Sequence, residues 1–162
     1  MSFDDNKEVN ARMREELGKK FHKNEYENYC RAMKWWTKAA AQGNKSSQYL
    51  IGSGYYFGYE VYRNYKKAAY WLEKAALQDD DWAQLLLGDC YYLGRGVAKN
   101  YKTAAYRYAK AAKIGNLDAL YMLAVCYNNG TGSRQSFRMA YRWFAKAAAK
   151  DHAAAQCRLG CY

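Results

Sequence analysis

One tripeptide, Lys-Ala-Ala, recurs along this chain, and four of its copies are spaced 36 residues apart. Other positions keep the same interval, including a tyrosine followed three residues later by a glycine in three consecutive units. Self-similarity at a fixed period of this length is typical of stacked repeat architectures. The period therefore constrains the fold more than any other feature of the sequence. The four copies begin at Lys38, Lys74, Lys110 and Lys146.

Each unit reads as two amphipathic helices joined by a glycine turn. In the unit 81–116, the first half places Ala83, Leu87 and Tyr91 on one helical face. The second half follows Asn100, a candidate N-cap. Two small alanines of each Lys-Ala-Ala copy are expected to face inward while the lysine stays in water. The apolar face of the second half is formed by Ala104, Tyr108, Ala111 and Ala112.

A single helix pair of this kind cannot bury its apolar face alone, whereas stacked pairs can. We therefore predict an all-α fold, an α-solenoid with a right-handed superhelix of about four helix-turn-helix units. The whole chain, 1–162, is treated as one domain. The predicted units are a divergent N-terminal capping repeat at 11–44, full repeats at 45–80, 81–116 and 117–152, and a partial C-terminal repeat or cap at 153–162.

The repeated motif resembles that of the Sel-one-like repeat (SLR) family, which is related to the tetratricopeptide repeats. The family pattern combines Ala-x-x-x-Leu-Gly-x-x-Tyr, a Gly-x-Gly turn, Lys-Ala-x-x-Trp and Lys-Ala-Ala-x-x-Gly, and the resemblance covers about residues 11–162. It implies an interaction scaffold, since family members act as adaptors or as immunity proteins for secreted toxins. The matching residues are structural, so they imply a fold and not a site. The family pattern is matched most fully in one unit, by Ala83, Leu87, Gly88, Tyr91, Gly94, Gly96, Ala104, Lys110, Ala111, Ala112 and Gly115.

Solenoids usually bind along a concave surface, which in this family is lined by the first helix of each unit. Positions there that the repeat does not demand are candidate contacts for a protein or peptide partner. Tyr49, Leu85 and Tyr121 would form an aromatic and aliphatic stripe, and such side chains are favoured binding anchors. The alternative left open is that a tight superhelix buries this stripe. The candidate set is Gln48, Tyr49, Ser53, Tyr56, Gln84, Leu85, Asp89, Tyr92, Tyr121, Val125 and Asn128.

The net charge of +11 is concentrated beyond residue 30, because the first 30 residues nearly balance. One basic column on the second helices, Lys66, Lys102 and Arg138, is a possible patch. Its simplest interpretation is a solvated helix face. The alternative is a surface for an acidic protein, a nucleic acid or an anionic lipid, of which nucleic acid is the less favoured because no recognised motif accompanies the charge.

Nothing in the sequence predicts catalysis, a cofactor or a metal site. His22 and His152 lie in unrelated places, and the glycines mark turns with no phosphate-binding loop. Cys157 and Cys161 are one helical turn apart, but two ligands are too few for a closed metal site. The five cysteines form an odd set without a Cys-x-x-Cys motif, which favours reduced thiols.

The expected location is the cytoplasm, because the chain shows no apolar signal region and no apolar run of about 20 residues. A periplasmic or secreted location would apply only if a leader had been removed. The leading functional hypothesis is a non-enzymatic scaffold or adaptor that binds a protein or peptide, for which an acidic partner would suit the charge. The alternative is an immunity protein that neutralises a secreted toxin.

Overall fold

The structure is a computed structural model that describes the backbone of residues 23–58 and 61–160, with side chains from residue 31 onward. The chain divides into two compact units, Met1–Trp35 and Trp36–Tyr162. Of the first unit, only the beginning of one helix is described. The predicted capping repeat at 11–44 therefore lies partly outside the described residues.

The described part of the chain contains eight α-helices and no strand, which confirms the predicted all-α class. Each full repeat contributes a first and a second helix. The bounds are α1 Lys23–Ala41, α2 Lys45–Phe57, α3 Tyr65–Ala76, α4 Asp81–Leu93, α5 Tyr101–Ile114, α6 Leu117–Asn129, α7 Phe137–Ala148 and α8 Ala153–Leu159. The first helices are α2, α4, α6 and the short α8, and the second helices are α1, α3, α5 and α7. From α2 to α8, helices that are neighbours along the chain pack against each other.

Side-chain caps fix where the helices begin. Asn100 accepts a hydrogen bond from the backbone N–H of Thr103 at 3.1 Å, so the predicted N-cap is confirmed. The same bond to the third helical residue recurs at six other helix starts, and it satisfies a backbone donor that has no partner inside the helix. The other capping residues are Asn44, Asn64, Asp80, Asn116, Ser136 and His152.

The first and second helix of a repeat approach closely at a glycine. A Cβ atom on Gly88 would lie 2.5 Å from Cε1 of Tyr108, and one on Gly52 would lie 2.8 Å from Cγ of Leu72. Real carbon contacts are much longer. The missing side chain therefore makes room for a large residue of the second helix, which becomes fully buried.

In the repeats 81–116 and 117–152, a second glycine in the connecting turn joins consecutive repeats. Gly96, at φ 75°, lies directly against the backbone oxygen of Tyr65, and Gly132, at φ 78°, lies against that of Tyr101. A Cβ atom would overlap the backbone at both places. The turn of one repeat thus rests on the first turn of the preceding repeat's second helix. We call this end of the stack the turn edge, which comprises residues 61–67, 94–103 and 130–138.

The repeated Lys-Ala-Ala copies pack as predicted in the middle repeats. Ala75, Ala76, Ala111 and Ala112 are all less than 5% exposed. The lysine covers an aromatic ring one turn earlier on the same helix, as where Lys74 Nζ lies 4.8 Å from the centre of the Tyr70 ring. Lys110 over Tyr106 and Lys146 over Trp143 repeat this arrangement at 5.3 Å.

Candidate functional site

The first candidate surface is the first-helix face, formed by the predicted contact columns of α2, α4 and α6. These columns do not share one environment. Some of their side chains are half-exposed and open to a partner, whereas others are buried within the stack. The half-exposed members are Tyr49, Ser53, Asp89, Tyr92, Tyr121, Val125 and Asn128.

The predicted contact residues Gln48 and Gln84 are structural, because both are buried. Gln84 Nε2 donates a hydrogen bond of 2.6 Å to the backbone oxygen of Ala76, and Gln48 Nε2 donates one of 3.1 Å to that of Ala40. Each bond adds a side-chain donor to a carbonyl near the end of a second helix that also accepts a turn N–H, from Asp79 at Ala76 and from Gly43 at Ala40. We therefore remove both glutamines from the contact surface.

The predicted contact residues Leu85 and Tyr56 are not accessible to a partner either, because each is only 6% exposed. Leu85 belongs to the core cluster around α5 and α6, so at this position the alternative of a buried stripe is correct. Tyr121, in the equivalent place one repeat later, is half-buried. Its ring stacks on that of His152 at 5.2 Å and lies 5.5 Å from that of Phe144.

A polar cluster links this face to the turn edge. Tyr108 donates a hydrogen bond of 2.7 Å from its hydroxyl to Asp89 Oδ1, and Arg95 Nη1 donates one of 3.1 Å to the Tyr56 hydroxyl. Burial raises the pKa of the Asp89 carboxyl, and the Tyr108 hydrogen bond and the charge of Arg95 oppose this. Burial likewise raises the pKa of Tyr56 to about 12. Both tyrosines therefore stay neutral hydrogen-bonding groups near neutral pH.

Arg95 was not among the predicted site residues. Its guanidinium lies 5.1 Å from the ring centre of Tyr65 and 5.7 Å from that of Tyr56. In the sequence, Arg95 lies inside a Gly-x-Gly turn, and this position alone indicates no more than a turn residue. One sequence feature could have indicated a special role: the equivalent residue in the next repeat is the uncharged Thr131.

Four of the remaining predicted contacts lie beside local partners. The Ser53 hydroxyl donates to the backbone oxygen of Leu50 at 3.0 Å. The Tyr92 ring meets that of Tyr101 edge-on at 5.1 Å. Asn128 Nδ2 donates to the side chain of Asn129 at 2.9 Å, and Val125 packs at the margin of the core.

The second candidate surface is the turn edge, which holds the predicted basic column. Lys66, Lys102 and Arg138 are all exposed, and each lies in the first turn of a second helix. They therefore belong to the end of the stack where the turns meet and do not spread along the length of the second helices. A cavity of about 530 Å³ opens here between Lys102 on α5 and Arg134 in the next turn, with Gly132 between them.

Among the residues that the structure describes, no group of three or more His, Cys, Asp or Glu side chains is placed to hold a metal ion.

Within the described ranges, no helix combines the length and the apolar character needed to cross a membrane.

Comparison with known proteins agrees with this geometry. The model of the Sel1 repeat family matches four segments of the chain, at residues 26–44, 45–80, 83–116 and 117–152. No functionally curated protein matches the chain significantly.

Three solved structures are similar to the chain. The crystal structure of c5321, a protective antigen of uropathogenic Escherichia coli strains with an SLR fold, is 31% identical at a TM-score of 0.78. That match covers 81% of this chain and only 28% of c5321. A Sel1 repeat protein from Oxalobacter formigenes is 32% identical at a TM-score of 0.72, over 82% of this chain and 99% of that one. Helicobacter pylori cysteine rich protein B shares the fold at 23% identity and a TM-score of 0.65, over 83% and 96% of the two chains.

Proposed function

Because this chain belongs to the Sel1 repeat family, whose repeats generally mediate protein–protein interaction, we propose that it is a non-enzymatic interaction module. In this proposal, a protein or peptide segment binds along the first-helix face. The observation that carries the proposal is the half-exposure of Tyr49, Tyr92 and Tyr121 on three consecutive first helices.

Half-exposed tyrosines suit such a role for a physical reason. A tyrosine offers a large apolar surface with only two rotatable bonds and one polar group, so ordering it on binding costs little entropy. Polar side chains, Asp89 and Asn128, lie beside these rings and can fix the register of a bound segment. The family is generally a non-catalytic scaffold, which is consistent with this binding role.

The test compares two pairs of tyrosine substitutions. Tyr49→Ser with Tyr121→Ser removes two rings from the first-helix face. Tyr70→Ser with Tyr106→Ser removes two rings that are each 55% exposed on second helices. Proteins captured from native lysate by the unsubstituted chain are quantified by mass spectrometry against both variants, after circular dichroism has confirmed the helix content.

We expect the first pair to lose at least about 90% of a specific captured partner, as for anchors worth about 1.4 kcal/mol or more. The second pair should retain that partner. Since Tyr121 also packs on His152, a separate variant, Val125→Glu, places a charge on the same face without removing a ring. Equal capture by all variants would overturn the proposal.

A further inference from the structure

The turn edge carries a strong and one-sided charge. Its three segments, 61–67, 94–103 and 130–138, contain eight lysines and arginines and no aspartate or glutamate; Glu60, next to the first segment, lies outside the described residues. Within the described residues, ion pairs join Arg107 to Glu73 and His152 to Asp118, and neither pair lies at this edge. The cations are Arg63, Lys66, Lys67, Arg95, Lys99, Lys102, Arg134 and Arg138.

The opposite end of the stack carries both signs of charge. The loops between a second helix and the next first helix, with the adjoining helix turns, hold Asp79, Asp80, Asp81, Asp118 and Asp151 together with Lys45, Lys113 and Lys150. The described turn edge holds cations alone, so the two ends differ in their charge.

The cations of successive repeats are brought together by the glycine contacts between the turns. Because Gly96 rests on Tyr65 and Gly132 rests on Tyr101, each turn lies against the basic first turn of the preceding second helix. Lys99, Lys102 and Arg134 line the same cavity of about 530 Å³. This is a concave, cationic surface and not a row of isolated side chains.

Aromatic rings hold several of these cations in place. Arg63 lies 5.9 Å and Arg95 5.1 Å from the ring centre of Tyr65, and Lys99 lies 5.9 Å from that of Tyr101. Lys67 Nζ likewise lies 5.3 Å from the ring centre of Tyr55. A cation over an aromatic ring is attracted to it and remains charged. The side chains are thus partly ordered before a partner arrives, which reduces the entropy cost of binding.

The same contacts discriminate between two kinds of polyanion. Binding of single-stranded nucleic acid relies on open aromatic faces on which bases stack. Here the rings of Tyr65 and Tyr101 are partly covered by the chain's own cations and by neighbouring rings, whereas Tyr62 and Phe137 on the same edge are 89% and 57% exposed. Neither exposed ring lines the cavity, and carboxylates need only the cations, so the cavity favours an acidic protein segment.

The first turns of the second helices also favour an anionic partner. The first turns of α3, α5 and α7 contain no acidic residue, although the positive end of a helix dipole favours acidic residues there. Lys66, Lys102 and Arg138 occupy those turns instead. The chain therefore keeps a positive potential at this edge against local helix preference.

We propose that the turn edge binds an aspartate- and glutamate-rich segment of a partner protein, with Lys99, Lys102 and Arg134 contacting its carboxylates around the cavity. This surface adjoins the first-helix face, where Tyr92 meets Tyr101, but Lys99, Lys102 and Arg134 are not residues of that face. The proposal therefore does not require that a partner bind there. Paired N–H and carboxylate groups form charge-assisted hydrogen bonds, which are stronger than neutral ones.

The test uses defined probes and two charge-matched variants of the full chain. The probes are a fluorescein-labelled 12-residue peptide of alternating glutamate and glycine, its glutamine counterpart, and a 12-nucleotide oligothymidylate. Lys102→Ala with Arg134→Ala removes two cations from the cavity. Lys113→Ala with Lys150→Ala removes two exposed cations from the opposite end and leaves the same net charge. Fluorescence anisotropy is measured at 25 and 150 mM NaCl.

We expect the glutamate peptide to bind more tightly than both other probes. The cavity variant should weaken its binding at least about tenfold, as for two charge-assisted contacts, and the opposite-end variant less than about twofold. Tyr101→Leu, which frees Lys99, should weaken binding by about threefold with the charge unchanged.

Three results would overturn the proposal. The first is no binding of the glutamate peptide at 25 mM NaCl. The second is tighter binding of the oligothymidylate, which would indicate a nucleic-acid surface. The third is an equal loss in both double variants, which would show that net charge alone attracts the peptide.

Discussion

The hydroxyl of Tyr108 on α5 donates a hydrogen bond of 2.7 Å to the carboxylate of Asp89 on α4. The two residues belong to one repeat, and Tyr108 is fully buried. Burial and the neighbouring Asp89 charge raise the pKa of the Tyr108 hydroxyl, so it remains a donor at any ordinary pH. The pair therefore anchors a carboxylate of the first-helix face to the core.

Asp89→Asn is expected to raise the midpoint of thermal unfolding at pH 7. Burial raises the pKa of Asp89 above its unfolded value of 3.8, so its contribution to stability is fully present below that value and is lost as pH rises through the folded pKa. Asparagine keeps an oxygen that accepts from Tyr108 and removes the buried charge. In thermal melts, the difference in unfolding midpoint between the variant and the unsubstituted chain should increase as the pH is raised from 4 to 7.

Two further variants check this interpretation. Tyr108→Phe removes the donor and should destabilise the fold by about 1 to 3 kcal/mol, more at pH 7 than at pH 4. Asp79→Asn makes the same substitution at an exposed carboxylate and serves as the matched control. A pH-independent effect of Asp89→Asn would contradict the assignment.

Gln84→Ala should cost about 1 to 3 kcal/mol of unfolding free energy in urea, because it removes a fully buried side chain together with its 2.6 Å hydrogen bond to the Ala76 carbonyl. Gln156→Ala removes the equivalent bond, to Ala148 at 3.3 Å, from an exposed glutamine near the end of the chain. It should cost less than about 0.5 kcal/mol. Equal losses of unfolding free energy in the two variants would show that burial does not determine how much the hydrogen bond stabilises the fold.

Gly88→Ala should destabilise the fold by about 1 to 3 kcal/mol, since the new methyl group would overlap the Tyr108 ring. Helix propensity alone predicts the opposite sign, a gain of about 1 kcal/mol. Urea unfolding therefore separates the two effects by sign. The matched control is Ala124→Gly in the equivalent position of the next repeat, where propensity dictates a loss of about 1 kcal/mol.

Cys157 should react with Ellman's reagent in the native state, whereas Cys90 and Cys126 should react only after unfolding. Cys157 is exposed and the other two are buried. Burial raises the pKa of the Cys90 thiol to about 12 and also raises that of Cys126, which suppresses the reactive thiolate at pH 8. The count is made in a Cys30→Ser, Cys161→Ser background. More than one rapid thiol per native chain would contradict the described packing.

The candidate sites were less predictable than the fold. The sequence selected the first-helix columns because the repeat does not require particular residues there. It could not distinguish Leu85, which is buried, from Tyr121, which is half-exposed in the equivalent column. The difference depends on which side chains of the next repeat cover each position, and period alone does not encode that.

The sequence by itself determined the repeat period, the helix ends and the buried alanine faces. These features rest on interactions within a few residues, such as the Asn100 cap and the left-handed Gly94, and local sequence therefore specifies them. Tertiary structure alone decided which polar groups meet across repeats. Arg95 reaches Tyr56, 39 residues away, because the Gly96 turn rests on the preceding repeat. Contacts over such separations follow from how the units stack, so the charged turn edge emerges only once they are assembled.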